Sequence, residues 1–560
     1  MQAGGSVPDA MGPRARAIML AAGLASLILF FRHQLADGFA LLLGDRHDAV
    51  IALSIMEHWW NVLRGLQPWD VTGYFHPVPG TLGYNDGYLA FSLLYSLPRA
   101  LGADPFLAGE LTNIGLRALG YGAMFALLRR AGRLPWPAAV LGAGLFTISN
   151  NLYIRGSHAQ LFSIGLVPLL AWLAHGAAAA LLEGRRGALL GWGAGFCLGF
   201  ALALLTGFYM AWYCVFFATA LLPSWLIVAG AEGRRRLWQG LRACWLPLLL
   251  LAGLALLLNL PFLRLYLPKA AETGMHPWPL VLSHAPSLLD VIHVGERNLL
   301  WGWLVRALNG AFRPGFPFWS EHMTGFPLLL LGLFMASLLW LAGPARGLDP
   351  ARRRLFRAVA IATVVTWVLT LRFGEVTGWA LVYDYFPGGK APRVVARYQI
   401  FLAVPVVLLA MSALAAWAPR WPRPAVLAAC ALLVAEQVNL YAPLFLDHPL
   451  EAARLAAVPP PPAGCQAFYV SAARQQSRFG EEVDNPYNHN TEAMLVAAVR
   501  HIPTINGIST FNPPGWPDGI PAEESYRQAV RDWARRWNIA GLCALDLQRF
   551  TWSGPEDEAP

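Results

Sequence analysis

The feature that most constrains this chain is a series of apolar stretches recurring through its first 445 residues. Many run unbroken for about 18 residues or more, the length at which an α-helix crosses the hydrocarbon of a bilayer. The charge content agrees. Only 13% of the 560 residues are charged, against about 25% in a typical soluble domain, so most of the surface faces something other than water. This excludes a soluble multidomain enzyme, a disordered chain and a secreted disulfide scaffold. It predicts an all-α polytopic membrane protein.

The net charge of +9 comes almost wholly from arginine, with Lys269 and Lys390 the only lysines. The arginines do not point to nucleic acid. They sit between apolar runs, as Arg14/Arg16, Arg129/Arg130/Arg133, Arg185/Arg186, Arg234/Arg235/Arg236, Arg346 with Arg352/Arg353/Arg354, and Arg420/Arg423. Clusters of this kind mark cytoplasmic loops, so each interval between them needs an even number of crossings. That parity gives about eleven transmembrane helices, at roughly 17–31, 107–129, 136–152, 158–182, 188–205, 208–229, 242–263, 324–342, 355–372, 397–417 and 423–443. The first is read as an uncleaved anchor, because no small-residue cleavage site follows it at Phe30-Phe31-Arg32. The run 87–101, short and containing Pro98, breaks the parity and is read as a helix lying on the membrane. Segments 32–106, 264–323, 373–396 and 444–560 then fall on the external face, and the chain divides into a membrane domain, 1–447, and an external tail, 448–560.

The first external loop is far longer than an ordinary connection, and long ordered loops are usually functional. It opens with Gly44-Asp45-Arg46-His47-Asp48 and continues into an amphipathic helix over 48–64. Ile51, Ile55, Trp59 and Val62 share one face of that helix, and Ser54, Glu57, Asn61 and Arg64 the other. The turn Phe75-His76-Pro77-Val78-Pro79-Gly80 follows, then Asn85-Asp86 at the start of the second interfacial helix. Asp45, Asp48 and Asp86 thus reach one membrane surface. Carboxylates there suit deprotonation of an acceptor hydroxyl, or a divalent cation such as Mg²⁺ or Mn²⁺. Helix capping is the plainer role for the same residues.

Basic residues outside run against the inside-positive bias. Gly388-Gly389-Lys390 lacks the first half of a phosphate-cradling loop, while Arg393 and Arg397, four apart, would point the same way on a helix. With Arg155 and His158 in the turn 153–159, they suit a lipid-borne phosphate at the outer leaflet. Snorkelling to headgroups is the alternative use of such arginines.

These residues carry a resemblance. Gly44-Asp45-x-x-Asp48, Glu57-His58-Trp59-Trp60, Phe75-His76-Pro77-Val78-Pro79-Gly80, Asn85-Asp86, Gly156-Ser157-His158-Ala159-Gln160 and Pro392-Arg393-Val394-Val395-Ala396-Arg397 resemble the GT-C superfamily of integral membrane glycosyltransferases over about 15–445. The nearest likeness is to bacterial members of that type. The resemblance implies a GT-C-like fold, with two juxtamembrane helices in the first external loop. It implies inverting transfer of a sugar from a polyprenyl-phosphate donor to an envelope glycan or lipid, at the outer face of a bacterial inner membrane. Asp48 or Asp45 would be the base or metal ligand, with Asp86 beside them. Arg393, Arg397, Lys390, Arg155 and His158 would bind donor phosphate, and Glu57, His58 and His76 would contact the acceptor or support the site. The sequence has His47-Asp48 where the aminoarabinose- and mannosyltransferase branches have an Asp-Glu pair, so the choice between Asp45 and Asp48 stays open. Glu57-His58-Trp59-Trp60-Asn61 is not the Trp-Trp-Asp signature of oligosaccharyltransferases. Two other classes remain: a lipid or glycan transporter, opposed by few ionisable residues inside the spans and no obvious repeat, and a scaffold that keeps the fold without the activity.

The tail changes composition after the proline linker 459–462. A strand at 467–471 and helices at 491–500 and 525–537 predict a small α/β domain, which as an external domain would be periplasmic. Its Cys465 and Cys543 either bridge, as an oxidising compartment permits, or stay free.

Overall fold

Helices form within all eleven expected spans, though not over their whole lengths, in the computed structural model, which describes residues 11–317, 320–474, 479 and 487–554. Among these residues, seven helices are long and apolar enough to cross a bilayer: Pro13–Phe30, Pro105–Ala131, Ala159–Leu182, Arg186–Leu204, Phe208–Val228, Trp245–Thr273 and Val395–Arg420. Leu328–Ala342 and Arg423–Ala435 are apolar but shorter. Pro350–Thr370 carries Arg352, Arg353 and Arg354 near its start, and the run from Trp136 breaks at Thr147 before the short helix Asn150–Tyr153.

Local chemistry sets several of the starts. Pro105 and Pro350 occupy first-turn positions where an amide is not needed, and Asp104 and Asp349 accept hydrogen bonds from the next free amides. Val395–Arg420 is 83% buried along its apolar window, whereas Pro13–Phe30 and Trp245–Thr273 are each 11% buried. The first is therefore the centre of the bundle, and the other two are its rim. The arginine-bearing connections gather at one end, where Arg352 donates to the Arg133 carbonyl and Arg186 to the Ala243 carbonyl. The long loops and the tail occupy the other end.

The first long loop holds two helices, Asp48–Leu63 and Leu89–Ala100. The second has 12 residues and rises about 18 Å, short of the roughly 30 Å hydrocarbon core. Its Leu93, Leu97 and Leu101 stay exposed. The first departs from the expectation of an interfacial helix with a solvated polar face. Ser54, Glu57, His58 and Asn61 are all buried, because the second loop helix closes over Glu57, the segment after the first over His58, and the tail over Asn61. Asn61 Nδ2 donates to the Ala498 carbonyl at 2.8 Å.

The tail is the α/β unit expected. Strand Ala467–Ala472 runs parallel to Leu542–Asp546, which pairs antiparallel with Thr551–Ser553, and helices Asn488–Arg500 and Glu524–Trp537 cover the sheet. Cys465 and Cys543 form a disulfide beside the two parallel strands. The polar run 475–478 lies outside the described residues. The tail shares a core with the first loop: Tyr74, Phe75, Met494, Ile505, Trp516 and Tyr526 belong to one buried cluster. Its backbone joins the loop through the His76 amide on the Thr504 carbonyl at 2.9 Å and the Thr504 amide on the Gly73 carbonyl at 2.7 Å. A short pair of strands, Leu41–Leu42 with Leu446–Asp447, closes the seam.

Candidate active site

The site begins where the chain leaves the first helix. Gly44 has φ +106, and a Cβ there would fall 2.4 Å from that of Ala49, so only glycine turns the chain into the next helix. Asp45 follows, its Oδ1 accepting the His47 amide at 2.9 Å. Asp48 is the first residue of helix Asp48–Leu63, where a carboxylate is favoured by the helix dipole. Its side chain keeps 29% of its exposure, which leaves the acid reachable.

Asp48 Oδ2 is bonded to His158 Nδ1. His158 comes from the turn after helix Asn150–Tyr153, where the Arg155 amide binds the Leu152 carbonyl and the His158 amide binds that of Arg155. This tight turn sets Arg155 and His158 side by side. The imidazole Nε2 lies 3.1 Å from Glu321 Oε1, and Glu321 also meets Arg155 at 2.9 Å and Arg397 at 2.6 Å. A chain of opposite charges thus runs from the first loop to the start of the central helix. Burial works against ionising Glu321, but Arg155, Arg397 and His158 hold its carboxyl well below the usual range. Burial raises the Asp45 carboxyl, and the charge of Asp48 raises it further against the pull of His47 and His158. Burial would raise Asp48 as well, yet the His158 charge and hydrogen bond outweigh it and bring Asp48 below its ordinary value. Two carboxylates three residues apart are therefore pushed in opposite directions, Asp45 up and Asp48 down.

The expected residues divide. Asp45, Asp48, Arg155, His158 and Arg397 come together. Asp86 reaches the same field, but its Oδ1 accepts the Phe208 amide at 2.9 Å and so caps the start of helix Phe208–Val228. Arg393 and Arg397 do not share a helix face. Pro392 has no amide, and the Arg393 and Val394 amides both go to the Tyr209 hydroxyl, at 2.9 and 3.2 Å, so the turn Val395–Arg397 starts after them. Arg397 turns to Glu321, while the half-buried Arg393 guanidinium has no bonding partner among the described residues. Lys390 is exposed at the rim, its Nζ 5.1 Å from the Tyr383 ring centre.

Glu57, His58 and His76 lie away from this cluster. Glu57 takes Arg99 Nε and NH2 at 2.8 and 2.7 Å and the Tyr95 hydroxyl at 2.6 Å, which ties the two loop helices together. His58 is closed between Gln67 and the Trp69 carbonyl. The His76 carbonyl accepts from Trp533 Nε1 at 2.9 Å and seats the tail. No three His, Cys, Asp or Glu among the described residues converge to hold a metal ion. Asp45 faces the His47 amide, Asp48 faces His158, and Asp86 faces the Phe208 amide.

Glu321 was not singled out in the sequence. Its signal was charge balance, since Arg155, His158 and Arg397 as neighbours require an anion. Asp290 supports it, accepting Arg313 NH1 at 2.6 Å and His322 Nδ1 at 3.0 Å, which holds the residue after Glu321. Those hydrogen bonds outweigh burial and bring Asp290 down to about 2. Gln399 Nε2 completes the support on Thr324 Oγ1 at 3.0 Å.

No protein-family model matches the chain, and no curated protein matches it. Solved structures do. The Archaeoglobus fulgidus oligosaccharyltransferase matches at 14% identity and TM-score 0.49, over 94% of this chain and 69% of that one. The mycobacterial arabinofuranosyltransferase AftD matches at 16% identity and TM-score 0.49, over 96% of this chain but 35% of the other. ArnT of Cupriavidus metallidurans, solved with undecaprenyl phosphate, matches at 14% identity and TM-score 0.33, over 95% of this chain and 92% of that one. All three scores lie below 0.5, and the functional reading rests on the side chains of the site.

Proposed function

We propose that this chain is a membrane glycosyltransferase of GT-C type that moves a sugar from a polyprenyl-phosphate donor to an envelope glycan or lipid. One observation carries the reading. Asp48 of the first loop meets His158, which with Arg155 and Arg397 forms a cationic cradle around Glu321 at the loop end of the bundle. A donor with its tail along the central helix would set its phosphate in that cradle and its anomeric carbon toward the acids.

In this reading Asp45 is the base, because a carboxylate with a raised pKa accepts a proton more readily than an ordinary one. The acceptor oxygen attacks the anomeric carbon while the bond from that carbon to the phosphate oxygen breaks. The electron pair leaves on the phosphate, and the acceptor proton passes to Asp45. Asp48 is held ionised by His158 and opposes charge build-up beside the sugar. Asp86, near Arg397, fixes the start of helix Phe208–Val228. Arg393, Arg397 and Arg155 take the phosphate, and Lys390 adds charge at the rim. The arginine clusters at the opposite end support a cytoplasmic position for that end and an external, periplasmic one for site and tail, in a bacterial inner membrane.

The test is consumption of labelled polyprenyl-phosphate sugars by detergent-solubilised Asp45→Asn and Asp48→Asn proteins. Loss of a general base costs about 10²–10⁴-fold in rate, so Asp45→Asn should fall by that much with its melting temperature intact, and Asp48→Asn by less. Wild-type rates in both variants would remove the first loop from the chemistry.

A further inference from the structure

Glu321 sits where an anion belongs. Its two carboxylate oxygens meet Arg397 NH2 at 2.6 Å and Nε at 3.2 Å, Arg155 NH2 at 2.9 Å and His158 Nε2 at 3.1 Å. That is the forked, charge-assisted set a phosphate would use. The backbone that carries the cradle is held without Glu321. The turn hydrogen bonds of Leu152, Arg155 and His158 hold two of its members, and the turn Val395–Arg397 holds the third.

The backbone at Glu321 is loosely committed. Its own amide and carbonyl make no hydrogen bond among the described residues, while Ser320 and Met323 on either side pair within the local turn. The anchors of this segment are the Ser320 carbonyl on Arg155 NH1 at 3.1 Å, His322 on Asp290 and the Ser283 carbonyl, and Thr324 on Gln399. The Glu321 side chain can therefore leave while its neighbours stay.

We propose that Glu321 is an internal competitor for the phosphate seat, filling the cradle at rest, yielding to the donor, and returning to help expel the polyprenyl phosphate left after transfer. This rests on the glycosyltransferase reading above and adds a regulation of the same site. The chemistry gives the carboxylate a purpose. The donor phosphate is a diester with one negative charge, whereas the product is a monoester of about −1.5 to −2. A cradle of two arginines and a histidine grips the product harder than the donor, and release slows. A carboxylate tethered beside the seat acts at an effective concentration of about millimolar and weakens that grip. Arg393, which has no internal partner among the described residues, remains to hold a donor that has displaced Glu321.

The experiment titrates undecaprenyl phosphate into the full-length protein in detergent, comparing wild type, Glu321→Gln and Arg397→Ala. Removing the competing charge should tighten binding at least fivefold in Glu321→Gln and strengthen product inhibition to match, while Arg397→Ala weakens binding. Binding by Glu321→Gln equal to or weaker than wild type overturns the proposal and makes Glu321 a fixed strut. Hydrogen exchange on the wild type covers the case in which the variant does not fold: saturating undecaprenyl phosphate should speed exchange at 320–323, and unchanged or slower exchange overturns the idea. A wild type that binds no undecaprenyl phosphate takes the glycosyltransferase reading down as well. If Arg397→Ala weakens binding but Glu321→Gln does not tighten it, only the exchange falls.

Discussion

Replacing Arg393 by lysine tests the donor site most directly, because its guanidinium has no bonding partner among the described residues and so gives up nothing when it binds a ligand. Its main chain is held separately, by the amide on the Tyr209 hydroxyl at 2.9 Å, so the substitution leaves the backbone in place. Lysine keeps the charge and loses the planar fork. A hydrogen bond to a charged group is worth about 1.5–3 kcal/mol, and losing one of a pair should raise the donor KM roughly 10- to 150-fold. Arg397→Lys should do less. Its fork already serves Glu321 at 2.6 and 3.2 Å, so the lysine loses contact in both the empty and the loaded state and the two losses partly cancel. The assay varies the polyprenyl-phosphate sugar at fixed acceptor and compares donor KM in the three proteins. A donor KM for Arg393→Lys equal to that of wild type, or a larger effect in Arg397→Lys, refutes the reasoning and leaves Arg393 as a membrane anchor.

The pH dependence follows from Asp45. As a base it works only when ionised, and its carboxyl lies above the ordinary value, so kcat/KM should fall as pH drops through that raised value; Asp48→Asn removes one of the charges that raise it and should move this limb to lower pH. Arg99→Met strands the buried Glu57 carboxylate, which should cost about 3–5 kcal/mol; thermal melting should show Glu57→Gln/Arg99→Met recovering much of the loss, and strictly additive effects would refute the clamp. Sidedness is checked by labelling in a background without the free cysteines. Ala522→Cys in the tail should react from outside intact cells and Gly187→Cys, beside Arg185 and Arg186, should not, and the reverse pattern inverts the topology.

Much of the membrane architecture was legible because it is a one-dimensional property. Length and hydropathy of a segment decide whether it can cross a bilayer, and a helix forms within each of the eleven expected segments, seven of those described being long and apolar enough to cross. The 12-residue helix at Leu89–Ala100 was readable as too short for the same reason. The tail elements near 467, 491 and 525 also followed from local pattern. The polar face of helix Asp48–Leu63 was not readable in this way. Its alternation is real, but a second polar surface 440 or so residues later covers it, and Asn61 meets Ala498 rather than water.

For the site, the sequence by itself determined the inventory apart from Glu321: Asp45 and Asp48 at the mouth of the first loop, Arg155 and His158 in one turn, and Arg393 and Arg397 where the central helix begins. Charge type and position along the chain suffice for that, because each of these residues sits at the end of an apolar run. Only the tertiary structure decided the pairing. It joined Asp48 to His158, gave Arg397 to Glu321 and left Arg393 without a bonding partner among the described residues. It also turned Glu57 into a clamp for Arg99 and Asp86 into a cap for Phe208. The physical reason is that an ion pair forms between whichever opposite charges the packing of helices brings within a few ångströms. Asp48, His158, Glu321 and Arg397 are brought together by four separate stretches of chain, the first and the last 349 positions apart.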